Sequence, residues 1–320
     1  MLLIITNRSD LACDYLILKL KDRKISFTRL NTDLYPDSIS FDIAFKNNKL
    51  NFKIRLENGI ELRLNSISAV YFRQPISPNF EFAQSPMEKE FAQTELTEML
   101  RSLWRVIPEN LWLNHPRKLW LSSNKVDQLL AAISVGFAVP DTLISYSIES
   151  IRSFILKKKN NVISKAVRHG FVRAEDKVLL AGTQRLPENY IKQFDSYAPV
   201  PMNYQEEIKK GSDFRVVVVG NQVFPTSIKI DNCEDIDWRI VDLKGGQIIH
   251  ERAELPKSIE QKCLSIVKHF GLNYSSIDLV QSCQGEYFFL ELNPNGQWAW
   301  IEQLTGYPIR DAIISFLMRK

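Results

Sequence analysis

The chain has 320 residues, 45% of them hydrophobic and 24% charged, with a net charge of +4. That length calls for two or three α/β units, and so modest a charge fits an anionic substrate or nucleotide no better than ordinary surface solvation. Apolar runs fall far short of a membrane span, and Cys13, Cys233, Cys263 and Cys283 lack metal-type spacing, which points to reduced structural thiols in a cytoplasmic protein.

Met1-Leu2-Leu3-Ile4-Ile5-Thr6 reads as an opening strand; it lacks the cationic start and cleavage site of a signal peptide. An apolar helical stretch through Leu20 and a strand over 25–30 complete a β-α-β opening. Further strands are expected at 41–45, 50–56, 60–64 and 67–72, with Asn58-Gly59 as a hairpin turn. Ser85-Pro86-Met87-Glu88 offers a capping box for a long helix with Phe91, Leu96, Met99, Leu100, Leu103 and Trp104 on its apolar face. Asn114-His115-Pro116 marks a boundary near residue 115.

The second section opens on a helix from Lys125 through Ile133, stopped by Gly136. A strand at 142–146, a helix at 148–158 and strands at 161–166 and 177–181 follow, with Ala166–Asp176 read as a turn and 202–208 as a connector. In the last section, strands 213–220 and 222–230 flank Gly220-Asn221, and a helix at 257–270 ends at Gly271. Strands 275–282 and 286–293 and a helix from Ile309 close the chain. The order predicts an α+β fold with antiparallel hairpins, divided into 1–115, 116–204 and 205–320.

The most informative segment pairs Ile277-Asp278-Leu279-Val280 with Phe289-Leu290-Glu291-Leu292-Asn293. A hairpin closed by Gln284-Gly285 sets Asp278 opposite Glu291, with side chains about 5 Å apart. Asn293, two residues on, shares that face. Two carboxylates and an amide oxygen among apolar neighbours suit Mg²⁺ that keeps substrate phosphates as its other ligands. A solvated face with slipped register is the alternative.

Asp278 with Glu291-x-Asn293 resembles the metal-binding end of the ATP-grasp superfamily. The string Glu291-Leu-Asn-Pro-Asn-Gly-Gln-Trp298-Ala-Trp-Ile-Glu302, followed by Thr305-Gly306-Tyr307-Pro308, is similar to the RimK-related graspetide synthetases of the microviridin type. Tyr71-Phe72-Arg73-Gln74-Pro75, Trp112-Leu-Asn114-His-Pro116, Asn124-Lys125, Val139-Pro140-Asp-Thr142 and Asp237-Trp238-Arg239 follow in that family's order. The resemblance implies an N-terminal pre-ATP-grasp α/β domain, a central lid subdomain and a C-terminal antiparallel-sheet subdomain. It also implies ATP and Mg²⁺, a homodimer, and a ribosomal precursor peptide as substrate, with no nucleic-acid or membrane partner.

Carried over residue by residue, the resemblance puts Lys125 and Lys165 on phosphates, Gln205, Glu206, Glu207 and Ile208 along the adenine, and Asp213 on ribose hydroxyls. Asp278, Glu291 and Asn293 become the metal ligands. Arg215, Lys229 and Arg239 become the groups that steady a developing acyl phosphate, a task for which the planar arginine fork is suited. Solvated surface lysines remain the plain reading of Lys125, Lys165 and Lys229. His115, His169, His250 and His269 have no ligand spacing, and Trp104, Trp112, Trp120, Trp298 and Trp300 read as core. The implied activity is ATP-dependent formation of ω-ester or ω-amide rings from peptide Asp and Glu side chains; ligation of a small free acid, phosphotransfer to a hydroxyl and non-catalytic peptide binding are the rivals.

Overall fold

The computed structural model describes residues 1–78, 85–168, 171–174, 177–180, 182–187, 190, 200–230, 236, 238, 241 and 245–319, with the backbone alone over 171–180. The chain begins β1 (Leu2–Thr6), α1 (Leu11–Asp22), β2 (Phe27–Asn31), and the two strands pair in parallel as the β-α-β reading requires. Asp10 caps α1 by accepting from the backbone N–H of Ala12 and Cys13. A meander of β3 (Ser40–Lys46), β4 (Lys49–Arg55) and β5 (Glu61–Arg63) follows, then β6 (Ala69–Phe72), which joins β1 on its other side.

The long helix α2 (Pro86–Val106) starts where expected, with Ser85 Oγ accepting from Glu88 N–H. Its buried face is Leu100, Leu103 and Trp104; Phe91, expected on the apolar face, is 68% exposed. Two short helices, α3 (Pro116–Leu121) and α4 (Lys125–Ser134), lead into β7 (Thr142–Ser145), α5 (Ile148–Lys157) and β8 (Val162–Lys165). The segment read as a turn carries a strand, β9 (Phe171–Ala174), hairpinned onto β10 (Lys177–Leu180). After β11 (Gln184–Arg185) comes β12 (Met202–Glu206). That connector is an inner strand, lying between β8 and β7 in a four-stranded antiparallel sheet.

The remaining elements are β13 (Lys210–Val219), β14 (Gln222–Ile230), β15 (Ile248–Arg252), α6 (Lys257–His269), β16 (Tyr274–Ser282), β17 (Tyr287–Asn293), α7 (Ala299–Thr305) and α8 (Ile309–Leu317). Their five strands form one antiparallel sheet ordered β15-β14-β13-β16-β17. Both faces of its centre are covered, which is why Val216–Val219 reads as an unbroken apolar run. Val216 and Val218 face a core shared with Ile266 of α6; Val217 and Val219 face a second core with Leu16 of α1 and Ile313 of α8. No helix is long and apolar enough to cross a membrane among the described residues.

One loop ties the first sheet to the last. Arg73, just past β6 and 1% exposed, donates to the carbonyls of Asn295 and Gly296 at 3.0 and 2.9 Å and to Gln297 Oε1 at 2.8 Å. Tyr274 O–H also donates to Gly296 O, at 2.6 Å. A methyl group at Gly296 would lie 2.6 Å from Ser276 Oγ and 2.7 Å from its Cβ, so the loop lies against β16 closely enough to require glycine. Gly296→Ala is therefore expected to cost about 1–3 kcal/mol in urea unfolding, as overpacking does. Ser276→Gly on the same chain should return most of the loss; an alanine variant as stable as wild type would contradict the close approach.

Candidate active site

Two departures from regular pairing bring the proposed metal ligands together. The β16–β17 turn closes on three residues, Cys283–Gly285, with Gly285 at φ +85° and Ser282 N–H donating to Glu286 O at 2.8 Å. Pairing there runs Gln281 to Tyr287 and Leu279 to Phe289, one residue off the register set by a two-residue Gln284-Gly285 turn. Continued unbroken, it would set Asp278 opposite Leu290. A β-bulge intervenes, and Asp278 pairs with Glu291 and Ser276 with Asn293, as the sequence reading expects. Phe289 and Leu292 both stay in the core, while Leu290 and Glu291 both line the cavity between the sheets. Bulges re-aim side chains in this way beside functional sites.

Each carboxylate has its own cation. Arg215, directly opposite Asp278 on β13, donates through Nη1 to both its oxygens at 2.5 and 2.7 Å. Lys125 Nζ, from the first turn of α4, reaches Glu291 Oε2 at 2.7 Å. Asn293 Nδ2 lies 3.0 Å from Glu291 Oε1 and 3.5 Å from Asp278 Oδ2, so the three predicted ligands converge. Gln128, three residues along α4 from Lys125, exchanges two hydrogen bonds with the Leu292 backbone at 2.7 and 3.0 Å. The exposed edge of β17 is thereby paired, and helix and strand are locked in register.

A cavity of about 420 Å³ opens beside this hairpin, lined by Gln205, Glu206, Glu207, Ile208 and Asp213, with Ile163, Val280 and Leu290 as its apolar walls. Its inner end, past Gln205 and Asp213, meets Lys165, Asp278 and Glu291. All five residues expected along the base and ribose thus share one cavity, and Lys165 lies between it and the carboxylates. Lys165 Nζ donates to Gln205 Oε1 at 2.9 Å, and Gln205 in turn donates to Thr142 Oγ1. The connector's backbone is itself hydrogen-bonded to the central unit. Glu206 N–H donates to Asp141 O and Glu207 N–H to Asn161 O. Their side chains are held by Lys158 and Arg185.

Lys229 is a correction. It sits on the face of β14 opposite Thr226, which pairs with Arg215, and it meets Glu251 at 2.8 Å with 52% of its side chain exposed. Strand alternation alone separates it from the site. Arg239 and Asp237 lie outside the described residues, as do His169 and Cys233. Trp104, Trp112 and Trp298 are core, but Trp120 is 54% exposed. Sequence reasoning missed Lys210, which pairs with Asp213 at 2.7 Å, and Lys158, which meets Glu206 at 2.7 Å. The spacing of Lys210 three residues before Asp213 was the one signal that could have found it. Among the described residues no three His, Cys, Asp or Glu cluster as a metal site, so a cation here would rest on two carboxylates and an amide.

Cys283 is exposed and forms part of the cavity wall, whereas Cys13 and Cys263 are buried. Burial pushes the Cys263 thiol up to about 12 and raises Cys13 as well, so neither forms a thiolate near neutrality. With mass-spectrometric mapping, N-ethylmaleimide should label Cys283 well ahead of Cys13 and Cys263, and ADP should slow that labelling. Equal labelling with and without nucleotide would separate the cavity from nucleotide binding.

Two family models match the sequence, the MvdD pre-ATP grasp domain over residues 1–119 and the RimK-like ATP-grasp domain over residues 122–317. No curated protein matches it. The fold is similar to that of the macrocyclase MdnC of Microcystis aeruginosa MRC, solved with precursor peptide MdnA, at a TM-score of 0.86 and 24% identity over 99% of each chain. MdnB of the same organism has a TM-score of 0.83 and 25% identity over 100% of this chain and 99% of that one. A Chryseobacterium gregarium RiPP-associated ATP-grasp ligase, solved with ADP and a leader and core peptide, reaches 0.88 at 24% identity over 99% and 96%. With its second matched region spanning more than half of its length, the chain belongs to the RimK-like ATP-grasp family and carries an MvdD-type pre-ATP-grasp domain ahead of that fold.

Proposed function

We propose that the chain is an ADP-forming ligase that activates Asp or Glu side chains of a ribosomal precursor peptide and closes ω-ester or ω-amide rings. The observation that carries this reading is the convergence of Asp278, Glu291 and Asn293 at the inner end of a nucleotide-sized cavity, with Lys165 and Lys125 beside them. The similar ligases solved with ADP and with leader and core peptides support both substrate classes. In this reading residues 1–115 are the pre-ATP-grasp unit, 116–204 the central unit and 205–320 the C-terminal unit.

A peptide carboxylate oxygen attacks the γ-phosphorus of ATP, the bond to the bridging oxygen breaks, and ADP leaves an acyl phosphate behind. A Thr or Ser hydroxyl, or a Lys amine, then adds to the acyl carbon. Phosphate departs with the electrons of the broken C–O bond, and the nucleophile's proton goes to phosphate or water. Positioning and charge stabilisation carry such chemistry. Asp278, Glu291 and Asn293 would hold Mg²⁺, which when bound screens the phosphate charge and so favours attack. Arg215, anchored on Asp278, presents its guanidinium where anionic oxygens gather. Lys165 would leave Gln205 for a phosphate oxygen.

Glu291→Gln should lower peptide-dependent ADP formation by about 100-fold or more, the scale seen when one preorganised charge is lost from a phosphoryl-transfer site. Circular dichroism should stay unchanged; near-normal turnover would remove Glu291 from the metal site. For Lys165→Ala, calorimetry with a non-hydrolysable ATP analogue should record a loss of about 1.5–3 kcal/mol, the value of a charge-assisted contact. Unchanged affinity returns Lys165 to a structural role. The reaction itself is read by mass spectrometry of a cognate peptide, which should lose about 18 Da per ring with roughly one ATP consumed for each. ATP turnover with free amino acids alone, or a gain of about 80 Da by phosphotransfer, would sink the cyclase reading.

A further inference from the structure

A second opening, which shares no lining residue with the cavity described above, reaches Glu291 through Lys125. It is a cleft of about 690 Å³ between α2, the start of α4 and the chain just past β8, and its lining includes Arg101, Arg105, Trp120, Lys125 and Arg168. Among the described residues that line it, four are cationic and none is anionic. Arg101 and Arg105 share a single carboxylate outside the lining, Glu98, at 2.5 and 3.9 Å, and Arg105 is 71% exposed. Lys125 closes the inner end, where it grips Glu291. Through Arg101, Trp120 and Ser123 the cleft runs into a neighbouring opening that reaches Asn293. The residues assigned above to base and ribose, and Lys165 with them, line other cavities.

We propose that this cleft holds the acidic core segment of the peptide substrate, with Arg101, Arg105 and Arg168 pairing carboxylates that flank the one being activated. The inference rests on the peptide-ligase reading above and adds to it the site where the core lies. Two features of the cleft support it. A surplus of guanidinium groups around one carboxylate favours an anionic occupant, and the planar fork suits carboxylate oxygens. The exposed Trp120 ring supplies an apolar wall for the threonine methyls or methylenes between the acids. Remote contacts of this kind hold the reacting carboxylate in place while contributing nothing to the bonds that change.

The test is fluorescence anisotropy with a short labelled peptide alternating threonine and glutamate, beside the same peptide with glutamine for glutamate. Wild-type chain and an Arg101→Gln, Arg105→Gln, Arg168→Gln triple variant are compared. Glutamine keeps much of each apolar stem, so loss of charge dominates the comparison. The glutamate peptide should bind wild type about tenfold tighter than the glutamine peptide, with the gap closing as salt is raised. The triple variant should lose about tenfold for the glutamate peptide while its affinity for ADP stays unchanged. Equal binding of the two peptides, an undiminished triple variant, or a single-stranded RNA bound in preference to the peptide would overturn the assignment. Ring closure on a cognate peptide separates the two claims. If the triple variant closes rings as well as wild type, the cleft assignment fails and the ligase reading stands. If wild type closes none while the charge-dependent binding persists, the ligase reading fails and the cleft remains a site for acidic peptides.

Discussion

Asp278 and Glu291 face each other across two neighbouring strands, where Cβ atoms lie about 5 Å apart, and like charges at that separation repel by roughly 3 kcal/mol at the effective dielectric of a protein site. That repulsion is offset one charge at a time. Arg215 comes from the strand on the far side of Asp278, and Lys125 comes from a helix lying over the edge of Glu291. The two charge pairs therefore form together only when β13, the β16–β17 hairpin and α4 are all in register.

The loop after Asn293 imposes a second constraint. Arg73 and Asp10 are each almost wholly buried, 4.0 Å apart, and removing one partner of such a pair costs about 3–5 kcal/mol. Burial would raise the Asp10 carboxyl, but the Thr6 hydroxyl and the charge on Arg73 outweigh it and hold Asp10 below its usual range. Arg73 then directs its remaining donors at Asn295, Gly296 and Gln297. Asn114 adds a further clasp, donating to Tyr274 O and Pro294 O while accepting from the N–H groups of Asn273 and Tyr274. The ends of β16 and β17 are thus held by residues far ahead of them in the chain, which makes the first sheet part of the scaffold of the site.

Local grammar was legible in the residues. The Ser85 box, the Asn58-Gly59 and Gly220-Asn221 turns and the stops at Gly136 and Gly271 all act within a few positions of themselves. The Asp278–Glu291 pairing was legible as well, though its geometry was not. A two-residue turn predicts the right partners, and the structure reaches them through a three-residue turn followed by a bulge, two shifts that compensate. Apolar patterning cannot reveal that route, because Phe289 and Leu292 look like members of opposite faces until the extra residue is inserted between them. The inner strand β12 was equally hidden: Met202-Asn-Tyr-Gln-Glu carries no clean alternation, and it is a strand because β7 and β8 pair with it on both sides.

By itself the sequence determined the α+β order of elements, the hairpin that carries both acids, and the residue types able to meet a cation and a nucleotide. Those properties depend on near neighbours and on period, and a linear string contains both. Tertiary structure alone decided which cation meets which acid, that Lys229 lies on the far face with Glu251, and that Lys210 pairs with Asp213. It also decided that Trp120 faces solvent beside four cations. Sixty-three residues separate Arg215 from Asp278, and 166 separate Lys125 from Glu291. Charges that far apart in sequence have no preference for one another until packing brings them within a few ångströms, where Coulomb's law and the loss of water make the choice.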